Sequence, residues 1–491
     1  MLEALDLPTL VVFILAFVII YNVMTRRKNQ PPSPRGLPFV GDILLLKANR
    51  GKLPEVFMQQ AQQLGDIFTL TFGKLHIVVV NGYTRIHEVL MKRADVFSDR
   101  PSFLLISKKI GTGVILSSGQ QWKALRRMSL HAMRDFGMGK ISMEDKMQDE
   151  VKVIIGVMSE NEKKPIALHK YLAMATSNII CNIIFGSRFE YEDEQFQNML
   201  QLLNDVFRRP GMFQICNAFP VLRFVPPFNK DLQDNIEAFD RLAQFVSDIV
   251  SDHESTYDRN NIRDFIDMFI KFRDEDTDAS YTLRNFLRVI VDLFMAGTET
   301  SSTTLNWAIL YMVAYPDIQD RCQRELEEVI GPGRTVQFQD RFKLPYVRET
   351  FVKATLCEIQ RISTIAPLSV PHATLQDTTL GGFNIPRESI VLVNLLSVHQ
   401  DPTLWPDPGT FNPCRFLEDG KVRRGEYFMP FSAGPRVCAG ETLAKMELFL
   451  YFANLLQWFT FRKVEGATLN LEGVTGLTRS PRPFEVVVTK R

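Results

Sequence analysis

The sequence predicts a mainly α-helical fold with small β-sheets, on three observations. Helical periodicity, with apolar residues three and four apart, dominates from about residue 120 to 360. The stretch SYTLRNFLRVIVDLFMAGTETSSTTLNWAILYMVA, 280–314, is the longest near-continuous helical pattern. It is apolar on most faces, so it is expected to run through the core. After Pro367, prolines and short strand-like pieces replace that periodicity. Beyond Asp42 there is no composition break, low-complexity tract or internal repeat. One large domain is therefore expected over residues 43–491.

The elements follow in chain order. Residues 7–24, LPTLVVFILAFVIIYNVM, carry no charge, and Arg26, Arg27 and Lys28 come directly after them. About 18 apolar residues is the short end of a membrane span. Glu3 and Asp6 precede the run, the reverse of a cleaved signal peptide. The positive-inside rule then puts the body in the cytosol. Residues 1–28 are read as a membrane anchor with its basic flank. Residues 29–42 hold Pro31, Pro32, Pro34 and Pro38, too many for a helix, and read as a stiff hinge that sets how the body stands on lipid. DIFTLTFGKLHIVVVNGY alternates on either side of Gly73-Lys74 and predicts a hairpin. Pro316 and Asp317 open a helix that Gly331 closes, and a last helix follows Cys438.

A net charge of +1, with no zinc-finger spacing and no basic–aromatic repeat, excludes a general attraction to nucleic acid. The cysteines Cys181, Cys216, Cys322, Cys357, Cys414 and Cys438 are scattered with no CxxC, which reads as reduced thiols. Taken singly, each is a small buried hydrophobe.

One stretch lifts Cys438 out of that class. FSAGPRVCAGE places the thiol beside two glycines and an arginine, just before a helix. The helix amides favour a thiolate there. Gly434 and Gly440 leave room for a flat ring system. Arg436 suits a carboxylate. A thiolate on haem iron donates electrons that help cleave an O–O bond. The string resembles the haem-binding signature of the cytochrome P450 family, Phe-x-x-Gly-x-Arg-x-Cys-x-Gly, at Phe431, Gly434, Arg436, Cys438 and Gly440.

Other marks of that family stand in order. AGTETSS puts Ala296, Gly297, Glu299 and Thr300 in mid-helix. Small residues there admit a ligand. A threonine hydroxyl bonding the carbonyl one turn back would loosen the helix and leave a place for water. The resemblance gives Thr300 and Glu299 the delivery of protons to dioxygen, and puts Ala296 against the haem. Glu358 and Arg361 of CEIQR share a helix face. In the family this pair is buried and completed by a later arginine, here Arg415 of FNPCRF. Cys414 stands where the family often has glutamate, and is read as structural and inert. Trp122 and Arg126 of WKALRR, with His372 of SVPH, match residues that meet the haem propionates. His399 and Trp405 match a structural loop.

The resemblance covers almost the whole chain and is closest to the microsomal animal branch that oxidises drugs, steroids and fatty acids. It implies a cytochrome P450-like helical haem fold with haem b as cofactor and O2 as co-substrate. NADPH electrons would come through a flavoprotein reductase, with cytochrome b5 as a second donor. The implied location is the endoplasmic reticulum membrane, with a single N-terminal anchor and a cytosolic catalytic domain. No electron source lies within the chain, since GTGVILSSG is a poor dinucleotide fingerprint. Lys421, Arg423, Arg424 and Lys445 are read as a basic landing face for the reductase. By the same analogy Phe103, Ile110, Val114, Phe207, Phe294, Leu368, Val370 and Leu477 line the substrate pocket with Ala296, so the substrate is small and lipophilic. The apolar, proline-broken stretch 207–228 is expected to meet lipid. Two other readings remain at this point: a haem-thiolate isomerase or dehydratase acting on peroxides, and a non-catalytic haem or lipid carrier.

Overall fold

The computed structural model describes residues 29–491 except 35, 38, 103–110, 137–140, 209–214, 276–277, 332 and 341–350, together with residues 9, 12, 13, 16 and 17. The predicted hairpin is present. Strands β1 (Ile67–Phe72) and β2 (Leu75–Val80) pair antiparallel, with Phe72 opposite Leu75 across Gly73-Lys74. A sheet forms in the order β1-β2-β4-β3, where β3 is His372–Ala373 and β4 is Ile390–Val393. The pairing of β2 with β4 is parallel, so it requires the long helical excursion between them. An isolated bridge from Asp99 to Ala373 continues this sheet towards the site.

The helical body includes α1 (Gly119–Phe136), α2 (Ile141–Glu160), α3 (His169–Ile184), α4 (Lys230–Thr256), α5 (Leu283–Ala314), α6 (Pro316–Ile330), α7 (Phe351–Ser363) and α8 (Glu441–Trp458). The central helix α5 begins slightly later than the sequence pattern, because Thr282 caps it. Its side chain accepts the Asn285 N–H at 3.2 Å. Helix α5 is buried along most of its length, with Phe286, Val289, Ile290 and Trp307 fully enclosed. One side of its polar middle, Thr298 and residues 301–304, is buried as well. Thr176 of α3 donates to the Thr298 carbonyl at 3.1 Å, and Ser177 to the Thr298 hydroxyl at 2.9 Å. A Cβ at Gly297 would collide with Ile180. That glycine therefore serves helix packing, where the sequence suggested room for a ligand.

Two other expectations concern the N-terminal region. The proline-rich segment is tied to the body of the protein. It lies along β1: the Thr69 N–H donates to the Pro32 carbonyl at 2.8 Å, and Asp42 and Thr71 exchange bonds of 2.7 and 2.8 Å. Among the described residues no helix is long and apolar enough to cross a membrane. The run 7–24 lies almost wholly outside them.

All six cysteines are free. Cys181, Cys216, Cys322 and Cys357 are buried, as expected of small hydrophobes. Cys414 is not. Pro413 and Phe416 turn inward from a 3-10 turn and leave Cys414 exposed, with Arg321 Nη1 3.5 Å from its sulfur.

Candidate active site

The segment carrying Cys438 is held at its backbone N–H groups. The Met429 N–H donates to His399 Nε2 at 3.1 Å, and the Cys438 N–H donates to the Phe431 carbonyl at 3.1 Å. Gly434 has φ +77°, and a Cβ there would overlap the Leu90 carbonyl. The glycine is required by this protein–protein approach, where the sequence suggested a ring system. Gly440 is different: nothing lies nearer its missing Cβ than Cys438 Sγ, at 4.0 Å. It caps α8, and its N–H points at that sulfur. Cys438 is exposed in the surface of its loop; desolvation by the packed surroundings raises its thiol pKa, and the Gly440 N–H opposes the rise. Lys445, one turn into α8, sits over the Phe431 ring at 5.5 Å and pairs with Glu441.

Beside this loop is a cluster of cations. Arg126 Nη2 donates to the Val437 carbonyl at 2.7 Å. Arg436 donates to the Ser98 and Ser117 carbonyls at 2.9 and 2.8 Å, and lies over the Trp122 ring at 3.9 Å. Arg100 joins them. It donates to the carbonyls of Val370 and Pro371, both at 2.8 Å, and of Ile115 at 3.1 Å. Burial pushes Arg100 down to about 9, with repulsion from Arg436 and Arg126 adding to it. Arg436 falls to about 10, again chiefly by burial, although Asp99 opposes the fall. His372 donates from Nδ1 to the Phe97 carbonyl at 2.8 Å. Burial and the neighbouring Arg100 push it to about 3, so it is neutral at pH 7. The third cation of the cluster is therefore Arg100, which the sequence reading missed. An arginine before a proline carries no distinguishing signal.

Trp122 Nε1 and Arg436 Nη1 are buried with no hydrogen-bond partner among the described residues. Crowded guanidiniums and orphaned donors are costly unless an anion meets them. The residues present thus fit a planar group that carries carboxylates at one edge and a metal above Cys438.

On α5, the Thr300 hydroxyl donates to the Ala296 carbonyl at 2.7 Å, as expected. The helix nevertheless continues unbroken through this turn. Glu299 Oε1 accepts from the hydroxyls of Thr303 at 3.2 Å and Thr478 at 3.1 Å. Thr478 lies between β5 (Gly473–Thr475) and β6 (Arg479–Pro481). Glu299 is thereby tied to a late hairpin. Ala296 is exposed on the same helix, and Thr300 is half-buried.

The predicted triad is formed. Arg361 Nε and Nη2 each reach Glu358 at 2.8 Å, and Arg415 Nε reaches it at 3.0 Å. The Glu358 and Arg361 side chains are 0% exposed. Arg361 also donates to the His399 and Pro408 carbonyls, and Trp405 stacks near it.

The proposed pocket residues scatter more. Val370 meets Ile115, the residue after Val114, around Arg100, while the Val114 N–H is held by Asp292. Leu368 is half-buried against the β1–β2 sheet core, and Leu477 is 54% exposed next to Thr478. Phe294 is buried against Phe185 in the main core. Phe103 and Ile110 lie outside the described residues, as does the side chain of Phe207. Asp292 was also missed. Its Oδ2 accepts the Val114 and Ile115 N–H groups at 2.9 and 3.0 Å, clamping the segment before Trp122 to α5. An acid inside an apolar helix is the signal that singled out Glu299, and it applied equally here.

This geometry fits a haem-thiolate protein. The cysteine precedes a helix N-terminus beside a cationic edge, and the central helix α5 carries an acid and an alcohol at its middle. Residues 31–488 match the cytochrome P450 family, and the chain belongs to it. It is 38% identical to cytochrome P450 2J5 of Mus musculus, over 100% of this chain and 97% of the mouse protein. Identity to cytochrome P450 2J2 of Homo sapiens is 39%, over 96% of this chain and 94% of the human one. For cytochrome P450 2H1 of Gallus gallus it is 36%, over 99% of each. The protein is a monooxygenase that uses haem b, O2 and NADPH-derived electrons from a partner reductase to oxidise lipophilic substrates.

Proposed function

We propose that Cys438 is the iron ligand, that Trp122, Arg126, Arg436 and His372 together with Arg100 hold the haem edge, and that Thr300 and Glu299 deliver protons. The carrying observation is the set of orphaned donors, Trp122 Nε1 and Arg436 Nη1, within a cluster of guanidiniums beside the cysteine loop. Bound haem supplies the oxygen-activating chemistry. The chain's part is to hold and route. The Gly440 N–H and the start of α8 favour the thiolate. The Thr300 hydroxyl, donating to Ala296, keeps its lone pairs open to accept a proton donor. Glu299, fixed by Thr303 and Thr478, holds a proton-exchanging carboxyl one residue away.

The body is placed on the cytosolic face of the endoplasmic reticulum, with residues 7–24 as anchor. Exposed apolar side chains support contact with lipid. Val221 is 74% exposed and Phe224 71%, on a segment joined to the β1–β2 turn by the Lys74 N–H to the Ala218 carbonyl. Leu44, 61% exposed, lies on the other segment joined to that hairpin. For the reductase, the basic face is smaller than its sequence suggested. Lys445 pairs with Glu441, and Arg423 lies 3.5 Å from Glu418. Lys421 and Arg424 remain exposed near the thiolate loop. Cytochrome b5 would use the same face.

Reconstitution with the reductase, NADPH and O2 against steroid, fatty-acid and drug-like panels, with products identified, tests the reading. Thr300→Ala and Glu299→Gln are expected to lower product formed per NADPH while leaving haem content unchanged. Full turnover with peroxide and none with the reductase would replace it by the isomerase reading.

A further inference from the structure

The Glu299 carboxyl ends a long side chain whose last torsion is broad and nearly two-fold. Helix α5 fixes where that side chain begins and leaves the direction of the carboxyl to its neighbours. One neighbour is Thr303, a turn further along the same helix, with its hydroxyl 3.2 Å from Oε1. Another is Thr478, with its hydroxyl 3.1 Å from the same oxygen, and it lies 179 residues later in the chain. Thr478 ties the carboxyl to another part of the protein, so what fixes Thr478 bears on Glu299.

Thr478 closes a tight turn. The Gly476 N–H donates to its carbonyl at 2.8 Å, and the register of β5 and β6 places Thr475 opposite Arg479. A hairpin with three residues on each side is too small to hold its own shape in water. The residue after Thr478 supplies the hold. The Arg479 N–H donates to the Ile365 carbonyl at 2.8 Å, and the Arg479 carbonyl accepts the Trp307 indole N–H at 2.9 Å. Trp307 is fully buried on α5, about two turns beyond Glu299. The Arg479 guanidinium reaches the end of α7. Its Nη1 donates to the Ser363 carbonyl at 2.9 Å and the Ile362 carbonyl at 3.2 Å. These carbonyls belong to the last turn of α7, where helix N–H partners run out and a cation is favoured. Its Nε lies 3.4 Å from Oε1 of Glu55, on the helix Leu53–Leu64. Gly473 leaves the side chain its path, since a Cβ there would meet Arg479 Cγ at 2.7 Å. One residue thus joins the hairpin to three helices, and it is covalently next to Thr478.

We propose that Arg479 is a positioning residue for proton delivery: by fastening the hairpin to the end of α7 it holds the Thr478 hydroxyl on Glu299. The proposal rests on Glu299 being a proton carrier. Monooxygenation with O2 takes up two electrons and two protons and releases one oxygen atom as water. Hydrogen peroxide brings both electrons and both protons with its oxygen. A residue that acts through Glu299 therefore affects the first reaction and spares the second. A residue that only supports the fold affects both alike.

The test compares haem-loaded full-length variants on the member of the steroid, fatty-acid and drug-like panel that the wild type oxidises fastest. Thr478→Val keeps the shape of the side chain and removes the hydroxyl. It is expected to lower product formed per NADPH about fivefold while peroxide-driven turnover stays within about twofold of the wild type. Arg479→Met is expected to show the same split, and Thr478→Ser to restore the coupling. The double variant Thr478→Val with Arg479→Met is no worse than Thr478→Val alone, because both changes remove one contact. Crystals of Arg479→Met are expected to show the Thr478–Glu299 hydrogen bond lost and the carboxyl turned. Equal losses with NADPH and with peroxide would make Arg479 a support of the fold and overturn the proposal. So would additive losses in the double variant, or Arg479→Met crystals in which the bond persists. Glu299→Gln separates this proposal from the assignment beneath it. Normal coupling in Glu299→Gln removes the proton carrier itself. Poor coupling there, with normal coupling in Thr478→Val and Arg479→Met, removes only the positioning role. Arg479→Lys, which keeps the charge and loses the fork, takes the place of Arg479→Met if that variant does not fold.

Discussion

Two buried arginine groups adjoin the cysteine segment, and they differ in one respect. Around Glu358 the polar groups satisfy one another. Arg361 and Arg415 share the carboxylate, the Asn412 N–H joins them, and the remaining guanidinium N–H groups end on the carbonyls of His399, Pro406, Asp407, Pro408 and Thr410. Around Trp122 the chain leaves donors unmatched, and like charges crowd together. The first group is complete as protein. The second is complete only with an anion. Satisfaction within the chain thus separates a structural network from a ligand-holding one, although both are built from arginines on helices and loops.

The contrast can be broken or sharpened by substitution. The largest effect is expected at Cys438→Ser. It should abolish turnover and the red-shifted absorption of the reduced carbon monoxide complex while leaving the unfolding midpoint of the haem-free chain close to wild type. Retention of that absorption would remove the ligand assignment. Next is Glu358→Gln, which strands buried guanidiniums. It is expected to cost about 3–5 kcal/mol in urea unfolding, with or without haem. A cost that appears only in the holoprotein would move this triad into the ligand-holding class.

Glu447 is buried on α8 near Ser301 of α5, and burial pushes its carboxyl up to about 8 from 4.5. The folded state therefore holds a proton that the unfolded state releases. Its stabilising effect is complete below pH 4.5 and is lost as pH rises through about 8. Across that window the wild type should lose about 1.4 kcal/mol per pH unit relative to Glu447→Gln. Parallel stability curves for the two proteins would show that the carboxyl ionises normally. The smallest effect belongs to Trp122→Phe, which removes one orphaned donor. Haem transfer to apomyoglobin should quicken by roughly fivefold to tenfold, with the unfolding of the haem-free chain unchanged.

Much of the site was legible because its chemistry is local. The Cys438 stretch, the Glu299-Thr300 pair and the Glu358/Arg361 pair each sit within a few residues, where spacing alone implies proximity. The β1–β2 hairpin and the limits of α6 were legible for the same reason, since turn and cap residues act on their neighbours. Arg100 was not legible. It reaches the site through the Asp99–Ala373 bridge, a contact between segments far apart in the chain. Gly434 was found in the right place for a different reason, because the carbonyl it must clear belongs to Leu90.

What the sequence determined by itself is therefore the set of chemical groups and their local order: a thiol before a helix, an acid and an alcohol in mid-helix, a paired acid and arginine. Only the tertiary structure decided which polar groups find partners within the chain and which are left facing something else. Hydrogen-bond satisfaction is a property of three-dimensional neighbours, and two arginines that look alike in sequence, Arg361 and Arg436, end in opposite states.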